Sequence, residues 1–312
     1  MIDVPEAFAT TTVEREGEAG AAWLAELPGI VGMLLDRWGC VTDGNVLYGG
    51  VGLIVPVRQA DPDRTPAVIK VSFPHPGNVH EPDAFTAWRG HGAVLLHDRA
   101  DQHFAMLLER AHTSTLAEVD DGDEVVTVAG RLARRLAVPG PPGLPRLQDE
   151  TETWEEEIRH DAFELPHTMS RRTLDAALAT VREVGRVQPD TLIHGDLHGR
   201  NILRADREPW LAVDPKGHVG DPAYDGGTLL KSRLPALLAA QDVDLPKAIH
   251  RILDLFAEAA ELDRERVGRW AQFHAVRAAF HGRRHGFRIA RGGPRLDWIT
   301  ELLDQLAELL TE

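Results

Sequence analysis

Apolar positions along the chain follow two rhythms, and the change between them falls near residue 110. Trp23, Leu24, Leu27, Ile30, Val31, Leu34, Leu35 and Trp38 recur at spacings of three and four. This predicts a helical segment over 18–38, broken at Pro28, a residue suited to the first turn of a second helix. Residues 44–57 read as two β-rich runs about a glycine turn, and Ala67 to Val71 as a third. Ala93 to Leu96 and Phe104 to Leu108 complete a predicted antiparallel sheet of about five strands. Beyond an acidic run from Glu118 to Glu124, helical periodicity takes over. One stretch ends before Pro139-Gly140-Pro141-Pro142, and Ser170 can cap a helix that turns Leu174, Leu178, Val181 and Val184 inward. Apolar faces follow over 247–260, 263–281 and 296–311, the last through Leu296, Ile299, Leu303, Leu306 and Leu310. Two short apolar runs, Thr191 to His194 and Trp210 to Asp214, interrupt the helices. The expected fold class is α+β, a strand-rich first third followed by a larger helical part.

Composition narrows the function classes. A chain of 312 residues suits two domains, or one domain of two lobes. With 34 Lys+Arg against 49 Asp+Glu, the net charge of −15 argues against a nucleic-acid binder or a protein held to anionic lipid, since both need a basic face. Cys40 is the single cysteine, so neither an intramolecular disulfide nor a thiolate metal site can form. The start, Met-Ile-Asp-Val-Pro-Glu, lacks the features of a signal peptide, and no uninterrupted apolar run approaches the ~18–20 residues of a membrane span. A cytoplasmic protein without nucleic-acid or membrane partners is expected, with a monomer favoured.

The chemistry concentrates in Leu192-Ile193-His194-Gly195-Asp196-Leu197-His198-Gly199-Arg200-Asn201, followed by Trp210-Leu211-Ala212-Val213-Asp214-Pro215-Lys216-Gly217. A phosphotransferase needs an acceptor for the substrate hydroxyl proton and, five residues on, a neutral oxygen ligand for Mg²⁺; Asp196 and Asn201 have that spacing. A second carboxylate on a following strand must hold metal against the nucleotide phosphates, and Asp214 is placed for it. A single Asp-x-x-x-x-Asn is unremarkable, whereas the ordered set of apolar run, His-Gly-Asp, Asn, apolar run and Asp is rare. His194, Asp196 and His198 also form a His-x-Asp-x-His set that could ligate metal in a hydrolase, a reading that leaves Asn201 and Asp214 unexplained. A backbone-bonded loop histidine is the plainer account of both imidazoles.

Upstream, Ala67-Val68-Ile69-Lys70 matches a strand presenting a lysine to nucleotide phosphates, with Glu81 as its helical partner and Asp83 as the alternative. Gly49-Gly50-Val51-Gly52 would let backbone amides approach phosphates around Gly50, or simply close a hairpin. Glu109 and Ala111 are nominated from position as adenine contacts. Asp221 and Asp225 follow the metal-site strand and would line a site for a cationic acceptor, with helix capping and loop bracing as the competing roles, and His198 is a further candidate there. The run from Glu152 to Glu157 reads as a cation-binding rim or a solvated helix face.

With these stretches in hand, including Val219-Gly220-Asp221-Pro222-Ala223-Tyr224-Asp225, the chain resembles the aminoglycoside phosphotransferase family. Within it the likeness is to the aminoglycoside 6-phosphotransferase (streptomycin 6-kinase) and hydroxyurea kinase branch, from Val4-Pro5 through the C-terminal helices. The resemblance implies a bilobal protein-kinase-like fold: an N-lobe over 1–110 with an antiparallel, nucleotide-binding sheet, and a mostly helical C-lobe over 111–312 with the catalytic loop and acceptor site. It implies ATP with Mg²⁺ and transfer of a phosphoryl group to a small-molecule hydroxyl, with Asp196 as base, Asn201 and Asp214 on metal, and Lys70 on phosphate. An endogenous amino sugar or other metabolite is the alternative acceptor.

Overall fold

The computed structural model describes residues 2–60, 63–239, 244–286 and 298–311. A long helix, α1 (Glu6–Arg37), precedes six strands: β1 (Cys40–Thr42), β2 (Leu47–Tyr48), β3 (Gly52–Gln59), β4 (Pro66–Ser72), β5 (Leu96–Ala100) and β6 (Ala105–Glu109). A short helix, α2 (Glu81–Trp88), lies between β4 and β5. The strands form one antiparallel sheet in the order β1-β3-β4-β6-β5, with β2 also paired to β3. Helices then predominate: α3 (Gly122–Leu136), α4 (Thr151–Glu164), α5 (Arg171–Thr180), α6 (Ala223–Ala239), α7 (Leu245–Ala260), α8 (Arg264–His285) and α9 (Trp298–Leu309). Among them run five short strands, β7 (Val138–Pro139), β8 (Thr191–Ile193), β9 (Ile202–Arg204), β10 (Trp210–Ala212) and β11 (His218–Val219).

Three expectations shift. The break in α1 falls at Gly17 (φ 60°, ψ −136°), which reaches that conformation without a Cβ clash, while Pro28 lies inside the helix. The strand expected at Ala93–Leu96 begins only at Leu96; Ala93 instead bridges to Ala212, tying the sheet side to β10. Leu296 lies outside the described residues. Among those residues α1 alone is long and apolar enough to cross a membrane by length and composition; 22% of that window is buried, and Phe8, Leu27, Val31 and Leu34 pack in the core beside the sheet. Ser170 caps α5 as its sequence suggests, accepting from the Thr173 amide at 3.2 Å.

Side-chain alternation in the sheet decides where the functional cleft lies. On β4, Ala67, Ile69 and Val71 face a core shared with α1, which leaves Lys70 pointing the other way. On β6, Ala105 and Leu107 join that same core, whereas Met106 and Leu108 belong to a second, larger one built from the helices. The apolar face of α2 also enters the second core through Ala84, Phe85 and Trp88, and Trp88 Nε1 donates to the Leu136 carbonyl at 2.8 Å. Glu81, at the start of α2, is thereby held on an element anchored to the helical part while it faces a lysine from the sheet.

Candidate active site

Lys70 and Asp214 meet across the space between the sheet and the β8–β10 loops. The Lys70 ammonium donates to Glu81 Oε1 at 2.5 Å and also to Asp214 Oδ1. One cation thus sits between two carboxylates, and the proton favours the carboxylate deprived of water. Burial pushes Glu81 up to about 7 against the pull of Lys70. Desolvation acts to raise Asp214, whose side chain is 46% exposed, but the charge and hydrogen bond of Lys70, with smaller help from Lys216 and His194, together carry it below the usual range. Burial alone would lower the Lys70 ammonium, but Asp214 and Glu81 reverse this and raise it.

Asp214 adopts a left-handed backbone at φ 57°, a conformation that costs a non-glycine residue about 1–3 kcal/mol. Bonds on either side hold it: the Val213 amide donates to the Asn201 carbonyl at 2.9 Å, and the Lys216 amide to the His194 carbonyl at 2.8 Å. The loop after β8 is braced in turn by Asp225 on α6, whose carboxylate accepts from the amides of His194 (3.1 Å), Gly195 (2.9 Å) and Leu197 (3.4 Å). Burial pushes the Asp225 carboxyl up to about 7 although those three amides pull it down.

His194 is fully buried and spends both ring nitrogens on backbone. Nε2 donates to the Val213 carbonyl at 2.9 Å and Nδ1 accepts from the Asp196 amide at 3.2 Å, the tautomer being assigned from these partners. Burial holds it neutral, down to about 4. No lone pair is left for a metal, and among the described residues no three His, Cys, Asp or Glu side chains gather as a metal cage. The hydrolase reading therefore lacks its ligands.

Asp196 is the carboxylate this scaffold leaves unspent. Among the described residues it accepts no hydrogen bond; the groups next to it are the His198 imidazole, Nε2 at 3.8 Å, which burial favours in its neutral form, and the Lys216 ammonium, Nζ at 3.9 Å. Its side chain, 33% exposed, opens onto a cavity of about 760 Å³ bounded by α4, α6 and α8. Asn201, mostly buried, donates Nδ2 to the Asp196 carbonyl at 3.0 Å, which leaves Oδ1 as its acceptor end. Asn201 and Asp214 together offer only oxygen donors, one neutral and one anionic. That set fits a hard divalent cation completed by nucleotide phosphates better than a closed protein cage.

Two acceptor-site expectations are corrected. Asp221 is 2% exposed and accepts from Arg266, from Trp270 Nε1 at 2.7 Å and from the Ala223 amide at 3.0 Å, so it caps α6 and ties it to α8. Asp225 is equally buried and fully used by the loop amides. Neither lines the cavity beside Asp196. That cavity carries both signs of charge: Glu157 pairs with Arg277 at 3.0 Å, Asp161 pairs with Arg284, and the half-buried Lys231 is held below its ordinary value by desolvation. The acidic surplus of the chain is not concentrated there. In the run from Glu152 to Glu157, Glu155 is bound by Arg159, Arg182 and Arg186, so the segment is more than a solvated face.

The remaining nominations lie at the sheet. The Gly49 amide donates to the Gly52 carbonyl at 2.9 Å, closing a hairpin whose Gly50 carbonyl accepts from Arg15 at 2.9 Å. The Glu109 carboxylate is held by Arg207 at 2.8 Å and by the Leu95 amide at 3.0 Å, leaving only main-chain groups there for a base. Ala111 packs on the second core. In the sequence Lys216 stands out only as a departure from the family pattern flanking the acceptor position, and Lys231 not at all, since a single lysine carries no spacing signal that sets it apart from a solvated one.

A family model described as aminoglycoside/hydroxyurea antibiotic resistance kinase matches residues 37–286. A streptomycin 6-kinase of Streptomyces glaucescens is 38% identical over 272 residues, covering 86% of this chain and 87% of the relative. A hydroxyurea phosphotransferase of Kitasatospora aureofaciens is 34% identical over 274 residues, 86% of this chain and 77% of the relative. Among solved structures, a choline kinase from Streptococcus pneumoniae superposes with a TM-score of 0.57 at 10% identity, covering 91% of this chain and 99% of that one. This last likeness shows the fold alone, a kinase-like α+β architecture with an antiparallel sheet and a larger helical part.

Proposed function

The chain belongs to the aminoglycoside/hydroxyurea antibiotic resistance kinase family, and we propose that it transfers the γ-phosphoryl group of ATP to a hydroxyl of streptomycin or hydroxyurea. The observation that carries this reading is the unspent Asp196 carboxylate, facing a cavity on one side and standing beside the Lys70, Asn201 and Asp214 constellation on the other. Asp196 accepts the proton of the attacking hydroxyl. The new bond forms between the acceptor oxygen and Pγ, the bond from Pγ to the β–γ bridging oxygen breaks, and ADP leaves. Lys70, held by Glu81, orients the nucleotide phosphates. Asn201 Oδ1 and Asp214 would hold Mg²⁺, which supplies charge neutralisation to the phosphate oxygens when bound. The hairpin at Gly50 covers the phosphates, and the main chain from Glu109 to Ala111, at the boundary we draw between an N-lobe of 1–110 and a C-lobe of 111–312, receives the adenine. Dependence on ATP is the ground for placing the enzyme in the cytoplasm.

Because Glu157, Asp161 and their arginine partners leave the cavity with mixed charge, it does not demand a polycation. This keeps a small neutral acceptor such as hydroxyurea level with an aminoglycoside. A coupled ADP-release assay over streptomycin, hydroxyurea and amino sugars decides among acceptors. Asp196→Ala tests the chemistry: turnover should fall by about 1,000-fold or more with ATP affinity retained, and turnover near wild type would remove the mechanism.

A further inference from the structure

We propose that Lys216 is a further catalytic residue of this phosphoryl transfer, its ammonium donating to the non-bridging oxygens of the γ-phosphoryl group; the inference rests on the kinase reading above. Lys216 follows Asp214 by two residues, and its amide is bonded to the His194 carbonyl at 2.8 Å, so its backbone moves with the loop that carries Asp196. Its stem runs between two glycines. A Cβ on Gly195 would lie 3.1 Å from Lys216 Cβ, and one on Gly77, in the segment between β4 and α2, 3.9 Å from Lys216 Cδ. The next residue, Gly217, sits at φ 65° with a would-be Cβ only 2.7 Å from the His80 carbonyl oxygen. The lysine is thus threaded through the gap between the catalytic loop and the sheet-side segment leading to Glu81.

Its ammonium ends 3.9 Å from Asp196 Oδ2, too long for a direct hydrogen bond and short enough for strong attraction. Among the described residues it makes no hydrogen bond, and the side chain is 34% exposed, so its donors are available. The same charge reaches Asp214 and Glu81 and favours their ionised forms. Its position suits it to the transferred group. Lys70 is already shared by Glu81 and Asp214, so beside the divalent cation that Asn201 and Asp214 would hold, Lys216 offers uncommitted donors 3.9 Å from Asp196, where a phosphoryl group develops charge. As the acceptor O–P bond forms and the bond to the bridging oxygen breaks, Asp196 takes the acceptor proton, ADP carries off the bridging oxygen, and Lys216 keeps its own protons.

The test uses the full-length protein with Mg²⁺, comparing wild type, Lys216→Met and Lys216→Arg. AMP-PNP and ADP affinities are measured by titration calorimetry, and kcat with whichever of streptomycin or hydroxyurea the wild type phosphorylates. For Lys216→Met, ADP affinity should stay within about twofold, AMP-PNP affinity fall about fivefold or more, and kcat fall about 100-fold, with partial recovery in Lys216→Arg. A kcat within about threefold of wild type, or a fall in kcat with the AMP-PNP to ADP affinity ratio unchanged, overturns the contact; the second result would assign Lys216 to placing Asp196. Wild-type protein that neither binds AMP-PNP nor turns over would remove the kinase reading itself, and with it this inference.

Discussion

The Trp88 indole and the His194 imidazole stack nearly parallel, at an interplanar angle of 15° with centroids 6.2 Å apart. Trp88 ends the helix that begins with Glu81, and His194 begins the loop that carries Asp196. The stack therefore ties the partner of Lys70 to the proposed catalytic base through two rigid, buried rings, each also bonded to backbone. Placement of Lys70 and placement of Asp196 are parts of one packed unit.

Glu81→Gln should weaken the hold on Lys70 while leaving the fold intact, since glutamine fills the same space. We expect kcat to fall by about 10- to 100-fold and the KM for ATP to rise, with acceptor KM little changed. Steady-state kinetics varying each substrate in turn checks this.

Asp221→Ala separates bracing from acceptor binding. It leaves Trp270 Nε1 and the Ala223 amide without a partner in a buried setting, and takes the carboxylate from Arg266, which keeps its bond to the Val187 carbonyl. A loss of about 2–4 kcal/mol in stability is expected, with acceptor KM unchanged in the folded fraction. Chemical denaturation together with acceptor titration gives both readouts.

Gly195→Ala should be costly for a single methyl group. The residue sits at φ 79°, and the new Cβ would lie 2.8 Å from His218 Nδ1 as well as against the Lys216 stem. We expect about 1–2 kcal/mol of destabilisation and a clear drop in kcat, because the strain falls one residue from Asp196. A melting curve and a turnover assay on the same preparation test the pair of effects.

The buried Asp225 and the half-buried His218 should respond to pH with opposite sign. Asp225 keeps its proton up to about 7, whereas the unfolded carboxyl loses it near 3.8. Its linked stabilisation is complete at low pH and is lost as pH rises through that window. Burial lowers His218 to about 4, so its stabilisation is present above 6.5 and lost as pH falls toward 4. The destabilisation caused by His218→Asn should accordingly shrink between about pH 7.5 and about pH 5, while that of Asp225→Asn should grow. Denaturation midpoints at the two pH values measure both, and parallel changes would refute the assignment.

Much of this protein is written locally. The 3.6-residue period located the later helices, β-rich runs located most of the sheet, and the order of Asp196, Asn201 and Asp214 along two short loops pointed to phosphoryl transfer, because those spacings are set within a few residues of backbone. The pairing of Lys70 with Glu81 was also legible, since a strand lysine and a following helix carry recognisable patterns. Tertiary structure decided what sequence leaves open. Asp221 and Asp225 could be cleft carboxylates or structural braces until α8 and the loop amides are seen to consume them. Lys216 shows in the sequence only as a departure from the family pattern near the acceptor position until Gly195 and Gly77 are found on either side of it. A carboxylate or an ammonium has the same chemistry wherever it stands; whether it is spent on the fold or left for a substrate depends on partners distant in sequence, and only the folded chain brings them together.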